Sequence, residues 1–432
     1  MRTAIIGSGP AGMTAALLLA RKGVSVTLVD RDPGPVDGQE WHRVGVMQFR
    51  LPHAFRAQVK LLLARQLPDV LAAVMAAGAE VVAPEGLPPE AEMLHVRRAV
   101  FERVMWQTAS AEPGIERVTG HVDGIVVEGD TVTGLTVDGR FVAADVVIDA
   151  SGRSGRLSDP YRPAGERIDC GMAYCSREYE LLPGAEAGPT NGGPGYVTEH
   201  DGFMSFVFVG DARSFMVLLV RRSDDKELAE LRHEPAFEAA CRILPGVAEW
   251  TADGRARPTD AVRAGAGLVN FVAPQPRGVR GLVVIGDALS MTNPQGGRGV
   301  TLGMMCAAYA AEVLPSAAPG DLPDLLDAWA QARLHPWYRE HVAWDHTLLR
   351  RWHGLPVSPD EPLGIDVLAA AARLRPQMRA VLGPYNAMLV DPTALAALRA
   401  EVAAMIRDGW QPETPGGVTR DQLVATVRTA LA

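Results

Sequence analysis

The chain has 432 residues, of which 47% are hydrophobic and 22% are charged, and its 51 acidic and 42 basic residues give a formal net charge of −9. This length and composition are typical of a globular protein of two or three domains with a sizeable core. The acidic balance argues against a nucleic-acid-binding protein, which usually carries a basic surface. The four cysteines form no CxxC pair, so we predict reduced thiols and neither a disulfide framework nor a zinc site.

The first thirty residues predict a β-α-β unit. Thr3 to Gly7 is a short apolar run, typical of a strand buried on both faces; Pro10 to Lys22 is a helical segment rich in Ala and Leu; and Val24 to Val29 is a second apolar strand. Such a unit crosses over right-handed and forms a parallel sheet. Three glycines and Pro10 interrupt this N-terminal apolar segment, and no other stretch approaches the roughly 18 apolar residues of a membrane span. We therefore expect a soluble, cytoplasmic protein with no membrane span.

The pattern then changes from helices to antiparallel strands. Helices are predicted over 54–77, with a break at Pro68, and over 96–109, followed by hairpins between 124 and 142. Asp145 to Asp149 is a third buried strand. Between about 160 and 275, short apolar runs separated by Asp/Gly turns predict an antiparallel sheet, with strands at Tyr196–Glu199, Phe203–Val209 and Ser214–Val220.

A parallel strand returns at Gly281 to Ile285, a helix is predicted from Gly299 to Val313, and the chain beyond about 322 is helical and rich in Trp and Tyr. The predicted fold class is α/β with an α+β insertion. A doubly wound, Rossmann-like domain is formed by residues 1–159 and 276–325. An antiparallel-sheet domain over 160–275 interrupts it, and a helical region over 326–432 follows.

The sequence from Gly7 to Gly12, GSGPAG, is a GxGxxG motif between a strand and a helix. Gly7 permits the tight turn, Gly9 lets the backbone approach a pyrophosphate, and Gly12 lets the helix pack closely on the strand. The free N–H groups of the helix N-terminus favour phosphate. Asp30 ends the second strand, where a carboxylate can accept hydrogen bonds from ribose hydroxyls. The motif predicts a dinucleotide site without separating FAD from NAD.

A second signature favours FAD. Gly286-Asp287-Ala288 ends a strand, and Asn293 to Gly299, NPQGGRG, opens a helix. The carboxylate of Asp287 can accept from ribityl hydroxyls, and glycine N–H groups at a helix start can stabilise negative charge on the pyrimidine end of a reduced flavin.

These signatures, with DASGR at 149–153 between them, resemble the flavoprotein monooxygenases of the aromatic-hydroxylase superfamily. Gly45 to His53, GVMQFRLPH, is similar to the GVPQ-x-R-x-x-H stretch of bacterial polyether epoxidases, and the segment from Asn293 to Gly299 is similar to their NP-x-x-G-x-G loop. Arg98 begins a segment similar to the family's helix whose leading Arg contacts the FAD ribose or phosphate.

Some positions depart from the family pattern. Met47, Phe49 and Leu51 replace a usual Pro, Gly and His, and Gly296 stands where the epoxidases often carry Tyr. DASGR replaces the DG signature that is tied in some hydroxylases to NAD(P)H use. The WxWxIP signature of flavin halogenases is absent, which argues against halogenation.

The resemblance implies two sets of site residues. The cofactor-binding set is Gly7, Gly9, Pro10, Ala11, Gly12, Asp30, Arg31, Gln48, Arg98, Val122, Gly286, Asp287, Gly297, Gly299 and Val300. The set that positions flavin and substrate, and so counts as catalytic, is Arg50, His53, Pro294 and Gly297.

Plainer interpretations stay open for several of these residues. Arg50 and His53 are also typical of solvated residues that lead into a helix, and Arg98 can pair with Glu102 four residues on. Strand alternation places Phe206 and Phe208 on one face, as walls of an apolar pocket or as core.

The resemblance implies an FAD-dependent monooxygenase. It would insert one oxygen atom from O₂ into a small apolar alkene or aromatic intermediate of secondary metabolism through a flavin C4a-hydroperoxide. NADPH or NADH would supply the electrons, directly or through a partner reductase. Two alternatives remain: an FAD-dependent reductase of the geranylgeranyl-reductase type, and a non-oxidative FAD-containing cyclisation catalyst. The substrate, the regiochemistry, the oligomeric state and the role of the helical region are not predicted.

Overall fold

The strands and helices follow the order that the sequence pattern predicts. The computed structural model describes residues 1–43, 45–413 and 417–432. Within these ranges the β-strands are β1 (Arg2–Ile6), β2 (Ser25–Asp30), β3 (Glu80–Val82), β4 (Met93–His95), β5 (Ile115–Thr119), β6 (Val122–Glu128), β7 (Thr131–Val137), β8 (Arg140–Ala143), β9 (Val146–Asp149), β10 (Glu166–Asp169), β11 (Met172–Leu181), β12 (Gly195–His200), β13 (Phe203–Val209), β14 (Ser214–Arg222), β15 (Ala256–Pro258), β16 (Arg263–Gly265), β17 (Val269–Val272), β18 (Leu282–Val284) and β19 (Ser290–Met291). The α-helices are α1 (Pro10–Arg21), α2 (Ala57–Gln66), α3 (Pro68–Ala76), α4 (Arg98–Ala111), α5 (Glu234–Ile243), α6 (Val247–Thr251), α7 (Gly299–Val313), α8 (Leu322–Arg333), α9 (His335–Trp352), α10 (Ile365–Leu374), α11 (Arg379–Asn386), α12 (Ala396–Arg407) and α13 (Arg420–Leu431).

A parallel sheet of order β18-β9-β1-β2-β5 forms the dinucleotide-fold core. β9 and β18 are buried throughout, as expected of strands whose two faces are covered. Ile5 in β1 packs towards the helices of the largest hydrophobic cluster, whereas Ala4 and Ile6 pack towards the antiparallel β6-β7-β8 ribbon. The predicted α/β fold class is confirmed, and the helix predicted over 54–77 divides into α2 and α3 at Pro68. The domain boundaries stay a prediction.

The antiparallel sheet runs in the order β12-β13-β14-β11-β15, with β16 also paired to β11. Its two faces have different neighbours because successive side chains alternate. Phe203 and Val217 pack with α5 and α13, while Phe206, Phe208 and Leu218 belong to the opposite face. The predicted placement of Phe206 and Phe208 on one face is therefore correct.

The helical C-terminal region completes two cores. α8 to α12 pack against the parallel-sheet side, whereas α13 crosses to the antiparallel sheet and packs on α5. Arg420 fixes α13 there through two hydrogen bonds to the buried Asp225, at 2.6 and 2.9 Å. None of the helices in the described ranges is long and apolar enough to cross a membrane. The four cysteines are buried and unpaired.

The packing of α13 predicts a large effect of Leu423→Ala. Leu423 is fully buried under the antiparallel sheet, so the truncation should lower the free energy of unfolding by about 2–5 kcal/mol. Leu431→Ala is the matched control, because Leu431 in the same helix is 41% exposed. Chemical denaturation of both variants measures the difference, and equal free energies of unfolding would contradict the packing.

Candidate functional site

A cavity of about 580 Å³ lies where the parallel sheet meets the antiparallel sheet. The cavity is lined by Gly7, Asp30, Ala150 and Gly286, each of which lies within two residues of the carboxyl end of β1, β2, β9 or β18. In open α/β sheets, ligands bind in the crevice at this edge. The cavity extends from there to the inner face of the antiparallel sheet.

At the turn between β1 and α1, the backbone segments of Gly7, Gly12 and Ala150 lie in close contact. A Cβ on Gly12 would lie 1.9 Å from the carbonyl oxygen of Gly7, and a Cβ on Gly7, whose φ is +100°, would lie 2.5 Å from the carbonyl oxygen of Ala150. A Cβ on Gly9 would meet no atom within 4 Å, and Gly9 lines the cavity. Gly7 and Gly12 thus serve the packing, while Gly9 leaves open space beside the N-terminus of α1 for a phosphate-bearing ligand.

Asp30 is a carboxylate with several fixed donors. Its Oδ2 accepts from the N–H and Oγ of Ser8 at 2.7 and 2.8 Å, and its Oδ1 accepts from the N–H of Asp32 at 2.9 Å. Burial raises the pKa of Asp30, but Arg43 and these hydrogen bonds outweigh burial and hold the pKa below its ordinary value. Asp30 is therefore ionised at neutral pH, and Oδ1 retains capacity to accept from a ribose hydroxyl.

Two buried arginines of the cavity wall share one carboxylate. Glu102 in α4 is fully buried and accepts from Arg43 Nη1 at 2.7 Å and from Arg98 Nε. Arg43 Nη2 also donates to Asp30 Oδ2 at 2.8 Å. The pairing of Arg98 with Glu102 is thus present, and Arg98 lines the cavity as well.

His53 is held in one neutral tautomer. Arginine can only donate, so Nε2 of His53 accepts from Arg98 Nη1 at 3.0 Å, and Nδ1–H donates to the carbonyl oxygen of Leu51 at 2.8 Å. Burial and the charge of Arg98 lower the pKa of His53 to about 3, against the opposing effect of the Leu51 hydrogen bond. Both ring nitrogens are hydrogen-bonded. His53 therefore orients Arg98 and is uncharged at neutral pH.

Asp287 provides the test of whether the site fits FAD. Its carboxylate lines the cavity and has no hydrogen-bond donor among the described residues. Burial raises its pKa, with partial opposition from Arg98 and Arg153. A desolvated acceptor without a donor fits a polyol such as the ribityl chain. Together with the open space at Gly9, this shows that the residues fit an elongated dinucleotide with a hydroxylated linker, which is the shape of FAD.

The segment from Asn293 to Gly299 forms a braced loop at the start of α7. Asn293 Oδ1 accepts from the N–H of Gln295, and Gly297 adopts φ +60°, in the left-handed region that favours glycine. Asp345 in α9 holds the loop from below, because its carboxylate accepts from Asn293 Nδ2 and Asn270 Nδ2, each at 2.7 Å. Burial raises the pKa of Asp345 to about 7, although the hydrogen bonds from Asn293 and Asn270 oppose the rise.

Position 296 is Gly, where the polyether epoxidases often carry Tyr, and the structure explains this difference. A Cβ on Gly296 would lie 2.3 Å from Cε1 of His341 and 3.4 Å from the Trp344 ring. These side chains of α9 fill the space behind the loop, so only glycine fits there.

The far end of the cavity is apolar. Tyr174, Phe208, Leu218 and Val220 project into it from the antiparallel sheet, and Leu268 closes it from the side. All five are at least nine-tenths buried. This chamber adjoins the loop from Asn293 to Gly299 and is suited to a small apolar molecule.

The structure brings most of the predicted site residues to one cavity. Its lining includes Gly7, Gly9, Pro10, Ala11, Asp30, Arg31, Gln48, His53, Arg98, Val122, Gly286, Asp287, Pro294, Gly297, Gly299 and Val300. Gly12 lies beneath the turn, as its packing role requires. Arg50 is not part of the lining; it forms an ion pair with Glu40 and lies 3.7 Å from Asp260. The roles of the individual residues stay predictions.

Sequence reasoning missed Arg43 and Asp345. Arg43 reaches Asp30 and Glu102, and Asp345 reaches Asn270 and Asn293. These partners are distant along the chain, so no local spacing signals them.

Comparisons with known proteins agree with this geometry. The family model described as "Glucose inhibited division protein A" matches residues 2–168, fewer than half of the chain. Protein Rv3254 of Mycobacterium tuberculosis is 28% identical over 232 residues, which are 49% of this chain and 46% of that protein. The chain thus spans about half the length of this curated relative.

Two solved structures share the fold at low identity. PqsL from Pseudomonas aeruginosa, described as a probable FAD-dependent monooxygenase, is 16% identical with a TM-score of 0.57, covering 82% of this chain and 98% of that chain. The flavin-dependent brominase Bmp2 is 18% identical with a TM-score of 0.56, covering 100% of this chain and 98% of that chain.

The fold and the site define the class of protein. The chain has the FAD-binding fold that it shares with PqsL and Bmp2, and its cavity fits FAD. The predicted resemblance and the predicted FAD cofactor are confirmed. The likeness to the brominase is a likeness of fold.

Asp287→Ala should weaken FAD retention. Loss of one charge-assisted hydrogen bond to the ribityl chain costs about 1.5–3 kcal/mol, or roughly 10- to 150-fold in the dissociation constant. Asp324→Ala, an exposed position in α8, is the matched control. Titration of the apoproteins with FAD measures the constants; an unchanged constant in Asp287→Ala would mean that the signature is only a turn.

The His53 environment predicts acid sensitivity of the fold. The folded-state pKa of about 3 lies below the ordinary value of 6.5. As the pH falls below 6.5, His53 is therefore protonated in the unfolded chain while it stays neutral in the folded chain. This group should lower the free energy of unfolding by at most about 1.4 kcal/mol per pH unit between pH 6 and pH 4.

His53→Gln keeps an acceptor for Arg98 but does not titrate, so the pH slope of its unfolding free energy should be smaller by that amount. Chemical denaturation at several pH values measures the slope. ¹⁵N NMR of the ring should show Nδ1–H and unprotonated Nε2 at pH 5. An imidazolium at pH 5 would contradict the assignment.

Proposed function

We propose that this enzyme is a monooxygenase that transfers one oxygen atom from O₂ to a small apolar alkene or aromatic molecule, by epoxidation or hydroxylation. The observation that supports this is the apolar chamber of Tyr174, Phe208, Leu218 and Val220, directly beside the loop from Asn293 to Gly299. FAD in its reduced form, regenerated by a reduced nicotinamide directly or through a partner reductase, supplies the electrons that activate O₂.

The chain's own residues bind, orient and exclude water. Gly9 and the N-terminus of α1 would bind the pyrophosphate through N–H donors. Asp30 would accept hydrogen bonds from the ribose, and Asp287 from the ribityl chain. The N–H groups of Gly297 and Gly299 would stabilise the negative charge that develops on the pyrimidine ring of reduced FAD. The chamber walls come from a sheet whose other face is covered by α5 and α13, so the site is shielded from solvent on the substrate side.

Tyr174 gives the chamber one polar group. Its ring is 94% buried, and burial raises the pKa of its hydroxyl to about 12. At neutral pH the hydroxyl is therefore protonated, and it can donate a hydrogen bond to an oxygen of the substrate. A substrate that is apolar with a single oxygen function fits this wall best.

The decisive test is oxygen transfer under labelled O₂. The holoenzyme, supplied with NADPH or NADH and candidate alkenes and aromatic compounds under ¹⁸O₂, should yield a product with one labelled oxygen atom by mass spectrometry. The parallel reaction in H₂¹⁸O under unlabelled O₂ should give no label. Anaerobic consumption of the substrate would indicate a reductase, turnover with FAD oxidised throughout would indicate a cyclisation catalyst, and a halogenated product would indicate a halogenase. Each of these results overturns the proposal.

A further inference from the structure

Two arginines lie at the loop from Asn293 to Gly299: the buried Arg298, which belongs to the loop, and the half-buried Arg56, which contacts it. Arg298 is 2% exposed and precedes the first turn of α7. Its Nη1 donates to Nε2 of His341 at 3.0 Å, and its guanidinium lies 4.7 Å from the ring centroids of both Trp337 and Tyr385. Arg56 Nη2 donates to the carbonyl oxygen of Gly296 at 2.8 Å.

These two arginines differ from four arginines whose side chains are buried elsewhere in the fold. Arg43, Arg98, Arg177 and Arg351 each form an ion pair with a carboxylate. Within the described ranges, neither Arg56 nor Arg298 has a carboxylate partner, and the Nε atom of each is buried without a hydrogen bond. Taking an unpaired charge out of water is costly, so this arrangement calls for a compensating group.

The groups around the pair compensate only in part. Aromatic faces attract the guanidinium of Arg298, and carbonyl oxygens accept from Arg56. His341 adds no charge of either sign, because burial and the two arginines hold its pKa well below the ordinary value and keep the imidazole neutral. The side of the loop that faces the cavity adds the N-terminus of α7, which is also positive.

We propose that Arg56 and Arg298 are positioning residues whose unpaired charges would be balanced by the negative charge of reduced FAD bound in the cavity. Two electrons and one proton, delivered as a hydride by a reduced nicotinamide, convert neutral oxidised flavin into an anion with one additional negative charge. Oxidised flavin offers no such charge, so the pair favours the reduced state. This inference rests on the FAD site of the proposed function, but not on the fate of O₂.

The test compares reduced and oxidised FAD in charge-deleted and charge-conserving variants. Arg298→Met and Arg56→Met remove one charge each while keeping an extended side chain, and Arg298→Lys keeps the charge. The two-electron midpoint potential of bound FAD is measured anaerobically against a reference dye, and the dissociation constant of oxidised FAD is measured with the apoprotein. Far-UV circular dichroism and thermal unfolding establish that each variant is folded.

Each Met variant should lose roughly tenfold or more of the preference for reduced over oxidised FAD, a fall of about 30 mV per tenfold for a two-electron couple. Arg298→Lys should keep a potential near that of the wild type. Arg117→Met is the matched control, because Arg117 also stacks on an aromatic ring, Trp106 at 4.0 Å, and is not part of the cavity lining. Its potential should not change.

Three results would overturn the inference: wild-type potentials in both Met variants, an equal fall in Arg298→Lys and Arg298→Met, or an equal fall in Arg117→Met. If Arg298→Met does not fold, Arg56→Met decides in the same way. A product without label under ¹⁸O₂ would overturn monooxygenation and leave this measurement intact. Failure of the wild-type protein to bind FAD would overturn both.

Discussion

One buried carboxylate, Glu102, connects the two ends of the cavity. It holds Arg43, which binds Asp30, and Arg98, which binds His53, and all four of these residues line the cavity. Removal of such a carboxylate would leave two arginines with an uncompensated charge in a low-dielectric site, where breaking a buried pair is strongly destabilising. A single turn of α4 thus orders both arginines, while burial, with the charge of Arg98, keeps His53 neutral.

Features that depend on near neighbours in the chain could be predicted from the sequence. The apolar strands, the Gly7 to Gly12 turn, the break at Pro68 and the helix from Gly299 to Val313 are local patterns, and the structure contains each of them. Features that depend on distant partners could not. Arg50 shows the limit: its spacing resembles a family motif, but its side chain meets Glu40 instead of the cavity.

The helical C-terminal region carries no recognisable motif, and its contribution is to the geometry of the loop. α9 supplies Asp345 to the amide of Asn293 and places His341 against Gly296. The pKa of Asp345 is raised to about 7, so its stabilising contribution is full at low pH and is lost as pH rises through 7. The loop from Asn293 to Gly299 is therefore held by the Asp345 carboxyl group. Burial disfavours ionisation of this group, and the hydrogen bonds from Asn293 and Asn270 favour it.

Two titratable groups that line the cavity also bear on the proposed mechanism. His53 is fixed neutral with both ring nitrogens engaged, and the Tyr174 hydroxyl stays protonated well above neutral pH. Neither group is placed to take a proton from a substrate at pH 7. The side chains here are therefore suited to binding, orienting and excluding water, and in the proposed reaction the cofactor would supply the bond-making chemistry. The unpaired charges of Arg56 and Arg298 agree with this assignment of binding to the protein and chemistry to the cofactor. Fixed positive charges change the redox potential of a cofactor without any proton transfer from the protein.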